Sequence, residues 1–321
     1  MHTFKELVDS FETFFTRKHF PPAPATLYEP GEYFLSRGGK RIRPVMCLMG
    51  NELFDAIQPD SWAVATAIEL FHNFTLIHDD IMDAAPLRRG METVHVKYGE
   101  STALLAGDVM MIRAYEQLSN VQAQYLPRIL QLFNKTAREV CEGQQLDMDF
   151  EKAPSVPLDD YIHMITLKTS VLLAASLQTG AVLGGASEGN CQHIYEFGKN
   201  LGIAFQVQDD YLDAFGDPEK FGKEVGGDIR QNKKTFLLLY ALETASPEQR
   251  KQLQQLMQEN PPDKVQQVLQ LFRACNVDAW ATKLKDQYLQ TALHHLDAIA
   301  VVSARKKPLH DLAEFLIHRE H

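Results

Sequence analysis

The chain has 321 residues, 45% hydrophobic and 23% charged, which is ample for a sizeable core and leaves no low-complexity tract. A formal net charge of −10 excludes the basic footprint that a nucleic-acid partner requires, while metal ions could still bridge the chain to a phosphorylated small molecule. Cys47, Cys141, Cys191 and Cys275 form no CxxC pair, which argues against a zinc cage or a disulfide framework and for a reduced, cytoplasmic setting.

Met1 to Phe20 mixes Lys5, Glu6, Asp9 and Glu12 with apolar residues and reads as an amphipathic helix rather than a signal peptide. Pro21, Pro22 and Pro24 end it. Gly38-Gly39-Lys40-Arg41-Ile42-Arg43-Pro44 then sets three cations in four positions beside two glycines. Glycine lets backbone approach an anion and arginine grips phosphate bidentately, although a solvated basic turn has the same composition. From Ala63 to Met82 the apolar residues Val64, Ile68, Phe71, Phe74 or Thr75, and Met82 recur at steps of three and four, a helical period.

That helix ends in His78-Asp79-Asp80-Ile81-Met82-Asp83. Asp79 and Asp83, four apart, share a face, and His72, seven before Asp79, points the same way. Acids at a helix C-terminal end are disfavoured by the dipole and repel one another. A hard cation such as Mg²⁺, which takes carboxylate oxygens, resolves both penalties, whereas a solvated acidic patch resolves neither. Arg88-Arg89-Gly90 follows within a few residues, where cations could neutralise a bound diphosphate.

Helical patterns continue at Thr102–Leu118, Leu126–Cys141, Leu158–Leu177, Ile194–Phe215 and Thr235–Leu242, and no segment alternates as a strand would. Ala153 to Pro157 is a proline-bearing connector, and Asn260-Pro261-Pro262 marks another break. Asp159-Asp160 lacks a carboxylate four residues on and is expected to serve as a helix N-cap. Thr169 to Ser187 carries no charge, but its Ser, Gln, Thr and Gly content suits a buried core helix better than a membrane span. Gln206-Val207-Gln208-Asp209-Asp210-Tyr211-Leu212-Asp213 repeats the acidic arrangement at the end of a second apolar helix. If the two helices face each other, six carboxylates converge, an arrangement suited to several Mg²⁺ ions and a diphosphate. Gly216 to Lys234 is the longest polar stretch and reads as a lid over a site. Lys168, Lys223 and Lys233 are further cations. No break resembles a flexible linker, so one all-helical domain over 1–321 is expected.

The combination of GGKRIRP, DDIMD followed by RRG, and QVQDDYLD followed by GGDIRQNKKT resembles the trans-isoprenyl diphosphate synthases, and with the flanking helices it covers essentially the whole chain. The resemblance implies an all-α isoprenoid-synthase bundle around a deep central cavity, usually a homodimer. It implies three Mg²⁺ ions bound by Asp79, Asp83 and Asp209 with support from Asp80, Asp210 and Asp213. Isopentenyl diphosphate would be held by Lys40, Arg43, His72 and Arg89. The allylic diphosphate would be held by Arg88, Lys168, Thr169, Gln206, Lys223 and Lys233, of which Lys168, Thr169 and Gln206 also serve catalysis. The C-terminus departs from relatives that end in a basic Arg-x-Lys, since it reads Arg319-Glu320-His321.

In that family a bulky residue just before the first aspartate cluster floors the product tunnel. Phe74 and Thr75 occupy those places, which implies a C20 or C15 product, but helical-wheel arithmetic brings Phe71 nearer the Asp79 face than Phe74. A class I terpene cyclase would carry a different second metal motif and need no GGKRIRP element. A non-catalytic partner subunit would be expected to lose one aspartate cluster, and both are intact.

Overall fold

In the computed structural model, residues 1–216 and 225–318 are described. The chain is built almost wholly of helices: α1 (Phe4–Phe15), α2 (Ala25–Leu35), α3 (Ile42–Glu52), α4 (Pro59–Met82), α5 (Val94–Tyr98), α6 (Glu100–Leu118), α7 (Leu126–Lys152), α8 (Leu158–Ile165), α9 (Val171–Leu183) and α10 (Glu188–Phe215). After them come α11 (Gly227–Arg230), α12 (Phe236–Thr244), α13 (Pro247–Glu259), α14 (Lys264–Ala274), α15 (Val277–Ala298) and α16 (Ser303–His318). The helices foreseen from apolar periodicity are all present, extended by up to eleven residues at one end, as in α7.

Two local expectations need correction. Leu87–Arg88 and Met91–Glu92 pair as a two-stranded antiparallel hairpin, β1 and β2, too short to show any alternation in sequence. Its turn residues Arg89 and Gly90 both have positive φ (52° and 75°), as a type I′ turn requires. Asp159 and Asp160 lie in the first turn of α8 rather than capping it, because Pro157 holds the cap position; their charge there complements the dipole.

The chain falls into two compact units, one of Met1–Phe133, Ser176–Gln192 and Val301–Pro308, the other of Asn134–Ala175, His193–Ala300 and Leu309–His321. In the first, α4 packs along α6 and on α3, and α1 lies on α3. Residues 44–51 of α3 are buried without a break. The chain segment from Ser176 crosses α3 so closely that a Cβ on Gly180 would lie 1.9 Å from the Cys47 carbonyl oxygen, and one on Gly50 2.2 Å from that of Leu177. The glycines of the uncharged stretch are thus the price of helix contact. Gly180→Ala is expected to cost about 1–3 kcal/mol by overpacking, read as a lower urea midpoint; an unchanged midpoint would show that the two helices can part freely.

In the second unit, Tyr161, Met164, Val207, Phe236, Leu253, Val268, Phe272 and Val277 form a continuous core, edged by Trp280 stacked on Tyr240 at 3.8 Å. Leu158–Leu183 is the one helical run among the described residues long and apolar enough to cross a membrane, and 78% of its most apolar window is buried inside the protein. That run is not a uniform α-helix. Thr166–Ser170 widens into a π-helical turn, where the Thr166 hydroxyl also donates to the Ile162 carbonyl at 2.7 Å.

Candidate active site

The first unit gathers the GGKRIRP element, the first aspartates and the hairpin. α4 ends at Met82, and Asp83 caps it, its N–H donating to the Asp79 carbonyl at 2.9 Å. Arg88, on β1, donates through Nε to Asp80 Oδ1 at 2.8 Å and reaches Asp79 Oδ2 at 3.5 Å. Burial raises the Asp80 carboxyl above its ordinary range, and the Arg88 guanidinium offsets this only in part. Asp80 Oδ2 is buried and has no hydrogen-bond partner among the described residues. A buried carboxylate oxygen left in this state fits a cation beside the cluster.

The three cations of GGKRIRP have separate fates. Arg41 takes a left-handed backbone (φ 48°) ahead of α3 and turns inward, Nε to Glu12 Oε1 at 2.7 Å and Nη1 to Glu69 Oε1 at 2.5 Å. Burial works against its charge, but the two glutamates outweigh it and its pKa is raised. Lys40 is exposed. Arg43 donates through Nη1 to His72 Nε2 at 3.1 Å, and burial lowers the Arg43 pKa to about 10. His72 is held well below its ordinary range by burial and by the charges of Arg43, Arg89, Arg88 and Arg41. It is therefore a neutral acceptor among cations. Arg89 donates to the Gly38 carbonyl, and its guanidinium would lie 3.3 Å from a Cβ on Gly39. Gly39 thus gives the arginine room and Gly38 its anchor, and of the residues assigned to isopentenyl diphosphate Arg43, His72 and Arg89 come together.

Phe71 is 1% exposed and wedged between Phe74 and Phe133, with Tyr115 against Phe133. Phe74 is half-buried and meets His78 edge-on, while the Thr75 hydroxyl is turned back to the His72 carbonyl. Of the three floor candidates, Phe74 and Thr75 keep some open surface, and Phe71 serves the core.

The second unit carries the other motifs. Asp209, Asp210 and Asp213 lie in the last two turns of α10. Asp210 accepts from Tyr161 Oη at 3.0 Å and Gln206 Nε2 at 2.9 Å, yet burial still pushes its carboxyl up to about 6. Asp213 Oδ2 accepts from the Asp228 N–H at 3.0 Å, and its carbonyl from Gly226 N–H at 2.7 Å, so Asp213 fastens the GGD turn back onto its helix. Lys233 is exposed, 3.8 Å from Asp228. Lys168 and Thr169 sit in the π-helical turn, with Lys168 Nζ 2.6 Å from Asp147 Oδ2. The backbone of Gly143 in α7 is close enough that a Cβ there would meet the Lys168 amide at 2.3 Å. Lys223 and the Arg319-Glu320-His321 end lie outside the described residues, as do residues 217–224 of the expected lid.

Three participants were not read from sequence, Asp147, Phe133 and Tyr115, and Asp228 was read only as part of GGDIRQNKKT, with no role of its own. Asp147 and Asp228 are lone acids without a repeat, and the aromatics sit in helices whose facing partners are remote. Among the described residues no three His, Cys, Asp or Glu side chains are gathered tightly enough to cage a metal alone. Mg²⁺ does not require such a cage, since it takes a few carboxylates together with substrate phosphate oxygens.

Residues 24–274 match the polyprenyl synthetase family. The short chain isoprenyl diphosphate synthase of Methanothermobacter thermautotrophicus is 37% identical over 299 residues, covering 93% of this chain and 92% of its own. The geranylfarnesyl diphosphate synthase of Natronomonas pharaonis is 32% identical, covering 93% and 91%. A crystal structure of a geranylgeranyl pyrophosphate synthase superposes with a TM-score of 0.94 at 42% identity, covering all of both chains. The match runs through both aspartate clusters and the GGKRIRP element, and the chain belongs to the polyprenyl synthetase family of prenyltransferases, with the all-α isoprenoid-synthase fold.

Proposed function

We propose that the protein condenses isopentenyl diphosphate head-to-tail with allylic diphosphates, in the presence of Mg²⁺, to a short trans product. The observation that carries this is the basic cluster of the first unit: Arg43 and Arg89 are drawn round a neutral His72, and Arg88 is fastened to the adjoining aspartates. Such a cluster receives a diphosphate, and an acidic protein has little other use for it.

Asp79, Asp83 and Asp209 would hold the metal, supported by Asp80, Asp210 and Asp213. Bound Mg²⁺ would supply charge neutralisation for the leaving diphosphate. Arg43, Lys40, Arg89 and His72 hold isopentenyl diphosphate. Arg88, Lys168, Gln206 and Lys233 stabilise the diphosphate that leaves with the electron pair of the allylic C–O bond. Lys168 is aimed by Asp147 and by the π-helical turn. The double bond of isopentenyl diphosphate then attacks the carbocation, a carbon–carbon bond forms, and the proton lost passes to the departed diphosphate. Water has to be kept out, because it would quench the cation.

The relatives' names favour geranylgeranyl diphosphate (C20), with farnesyl diphosphate (C15) as the shorter alternative. The whole chain acts as one domain: the boundaries between its two compact units fall mainly inside α7, α9, α10 and α16 rather than in linkers. It works as a cytoplasmic homodimer; α6 exposes Leu104, Leu105 and Ile112, an apolar face suited to a second copy.

The test is incubation with Mg²⁺, isopentenyl diphosphate and each allylic diphosphate in turn, with chain length read by mass spectrometry. A C15 or C20 product is expected, and no condensation by folded protein would overturn the reading. Phe74→Ala is expected to lengthen the product by one or more C5 units. An unchanged product would remove Phe74 as the floor.

A further inference from the structure

Arg37 lies two residues beyond α2, at the entry to the GGKRIRP element, and none of the roles above uses it. Its guanidinium carbon sits 3.9 Å from the centroid of the Tyr33 ring. The Lys97 ammonium approaches the same ring at 3.8 Å, and Tyr33 Oη donates to the Glu92 carbonyl at 3.1 Å, so the ring is held. A guanidinium stacked on a ring uses its face and keeps its in-plane N–H donors for another partner. Here both Nη1 and Nη2 are shielded from solvent and have no hydrogen-bond partner among the described residues. Leaving the donors of a charged group buried and unmet is costly, and an anion relieves that cost.

The surroundings identify the anion. Arg89, anchored on the carbonyl of Gly38, has its pKa lowered by burial and then by the charges of Arg41, Arg88 and Arg37, with Glu69 opposing. Arg43 Nε, in the same element, is likewise buried without a partner. Two guanidiniums with unmet donors, Arg37 and Arg43, thus lie in one short stretch of chain, and the charges of Arg37 and Arg89 oppose each other beside the residues assigned to isopentenyl diphosphate. Their repulsion calls for a ligand with more than one negative charge and several acceptor oxygens.

We infer that Arg37 is a further binding residue for the diphosphate of isopentenyl diphosphate, acting beside Arg43 and Arg89 and oriented by the Tyr33 ring. The inference rests on the prenyltransferase reading for the identity of the ligand, but the contact itself can be measured without turnover.

Arg37→Gln preserves length and polarity while removing the charge and the fork. Calorimetric titration with isopentenyl diphosphate, and separately with inorganic pyrophosphate, is expected to show binding about tenfold weaker than in the parent protein, the size of one charge-assisted hydrogen bond. In steady state the KM for isopentenyl diphosphate should rise by a similar factor and that for the allylic partner by less than about twofold. A purely structural Arg37 would instead lower Tm or raise both KM values together. Arg37→Lys, which keeps the charge on the ring without the fork, should recover part of the affinity. Unchanged affinity in a folded Arg37→Gln protein, or equal loss for both substrates, overturns the inference. If the parent protein does not condense its substrates at all, the prenyltransferase reading fails, while the titrations still decide whether Arg37 binds a diphosphate.

Discussion

Asp79→Asn is expected to lower kcat/KM by a hundredfold to a thousandfold or more while leaving the protein as stable as before, or slightly more so. The two effects have opposite signs for one reason. Asp79 stands in the last turn of α4, one residue from the buried Asp80, four from the capping Asp83, and against the helix dipole. Removing its charge relieves repulsion in the metal-free protein at the expense of a long, 3.5 Å ion pair with Arg88, which keeps its shorter bond to Asp80, and asparagine keeps the shape. The same charge, in the proposed chemistry, is part of what offsets the leaving diphosphate. Groups aimed at developing charge are typically worth that much in rate each. The check is a steady-state assay at saturating Mg²⁺ together with a thermal melt. A variant within tenfold of the parent in kcat/KM would remove Asp79 from the metal site. A variant that melts much earlier would show that Asp79 is structural.

Glu69→Ala is expected to lower the apparent Tm by on the order of 10 °C, from a loss of about 3–5 kcal/mol. Arg41 is 4% exposed and its Nη1 depends on Glu69, whose Oε1 also accepts from Asn73 Nδ2 at 3.0 Å. Without Glu69, the ion-pair partner left to Arg41 among the described residues is Glu12, 39% exposed and attenuated by solvent, beside the face of the Phe15 ring 4.8 Å away. A buried cation stripped of its buried partner is costly, and the left-handed backbone at Arg41 gives it no cheap way out. Glu12→Ala should therefore cost far less, about 1 kcal/mol or below. The double replacement Arg41→Met with Glu69→Leu should recover much of the loss, since the charge and its partner leave together. Because α3 carries Arg43 directly after this anchor, Glu69→Ala should also weaken isopentenyl diphosphate binding. A melting point within about 2 °C of the parent would show that Arg41 finds another partner.

Much of the candidate site could be proposed without coordinates, because its residues come in local patterns. Period 3.6 over Ala63–Met82 places Asp79, Asp83 and His72 on one helix face from spacing alone, and the second cluster repeats that logic at the end of α10. Helices reveal themselves this way because their hydrogen bonds and facing side chains lie within four residues. What depends on distant partners did not show. Nothing in Lys40-Arg41-Ile42-Arg43 tells which arginine turns inward. That was decided by Glu69, 28 residues on, which takes Arg41, and by His72, 29 residues on, which takes Arg43. Asp213 reads as a metal carboxylate like its neighbours, and sequence gives no sign that its Oδ2 also accepts from the amide of Asp228, fifteen residues later. The hairpin that delivers Arg88 and Arg89 is two residues per strand, below the length at which alternation can appear. The π-helical turn that aims Lys168 is a change of one residue in hydrogen-bond register, which side-chain periodicity does not resolve. Sequence by itself determined the helices, the two acidic clusters and the basic element, since each is written in neighbouring residues. The tertiary structure alone decided which charges are buried against one another and which are left to meet a ligand, because that depends on groups far apart in the chain.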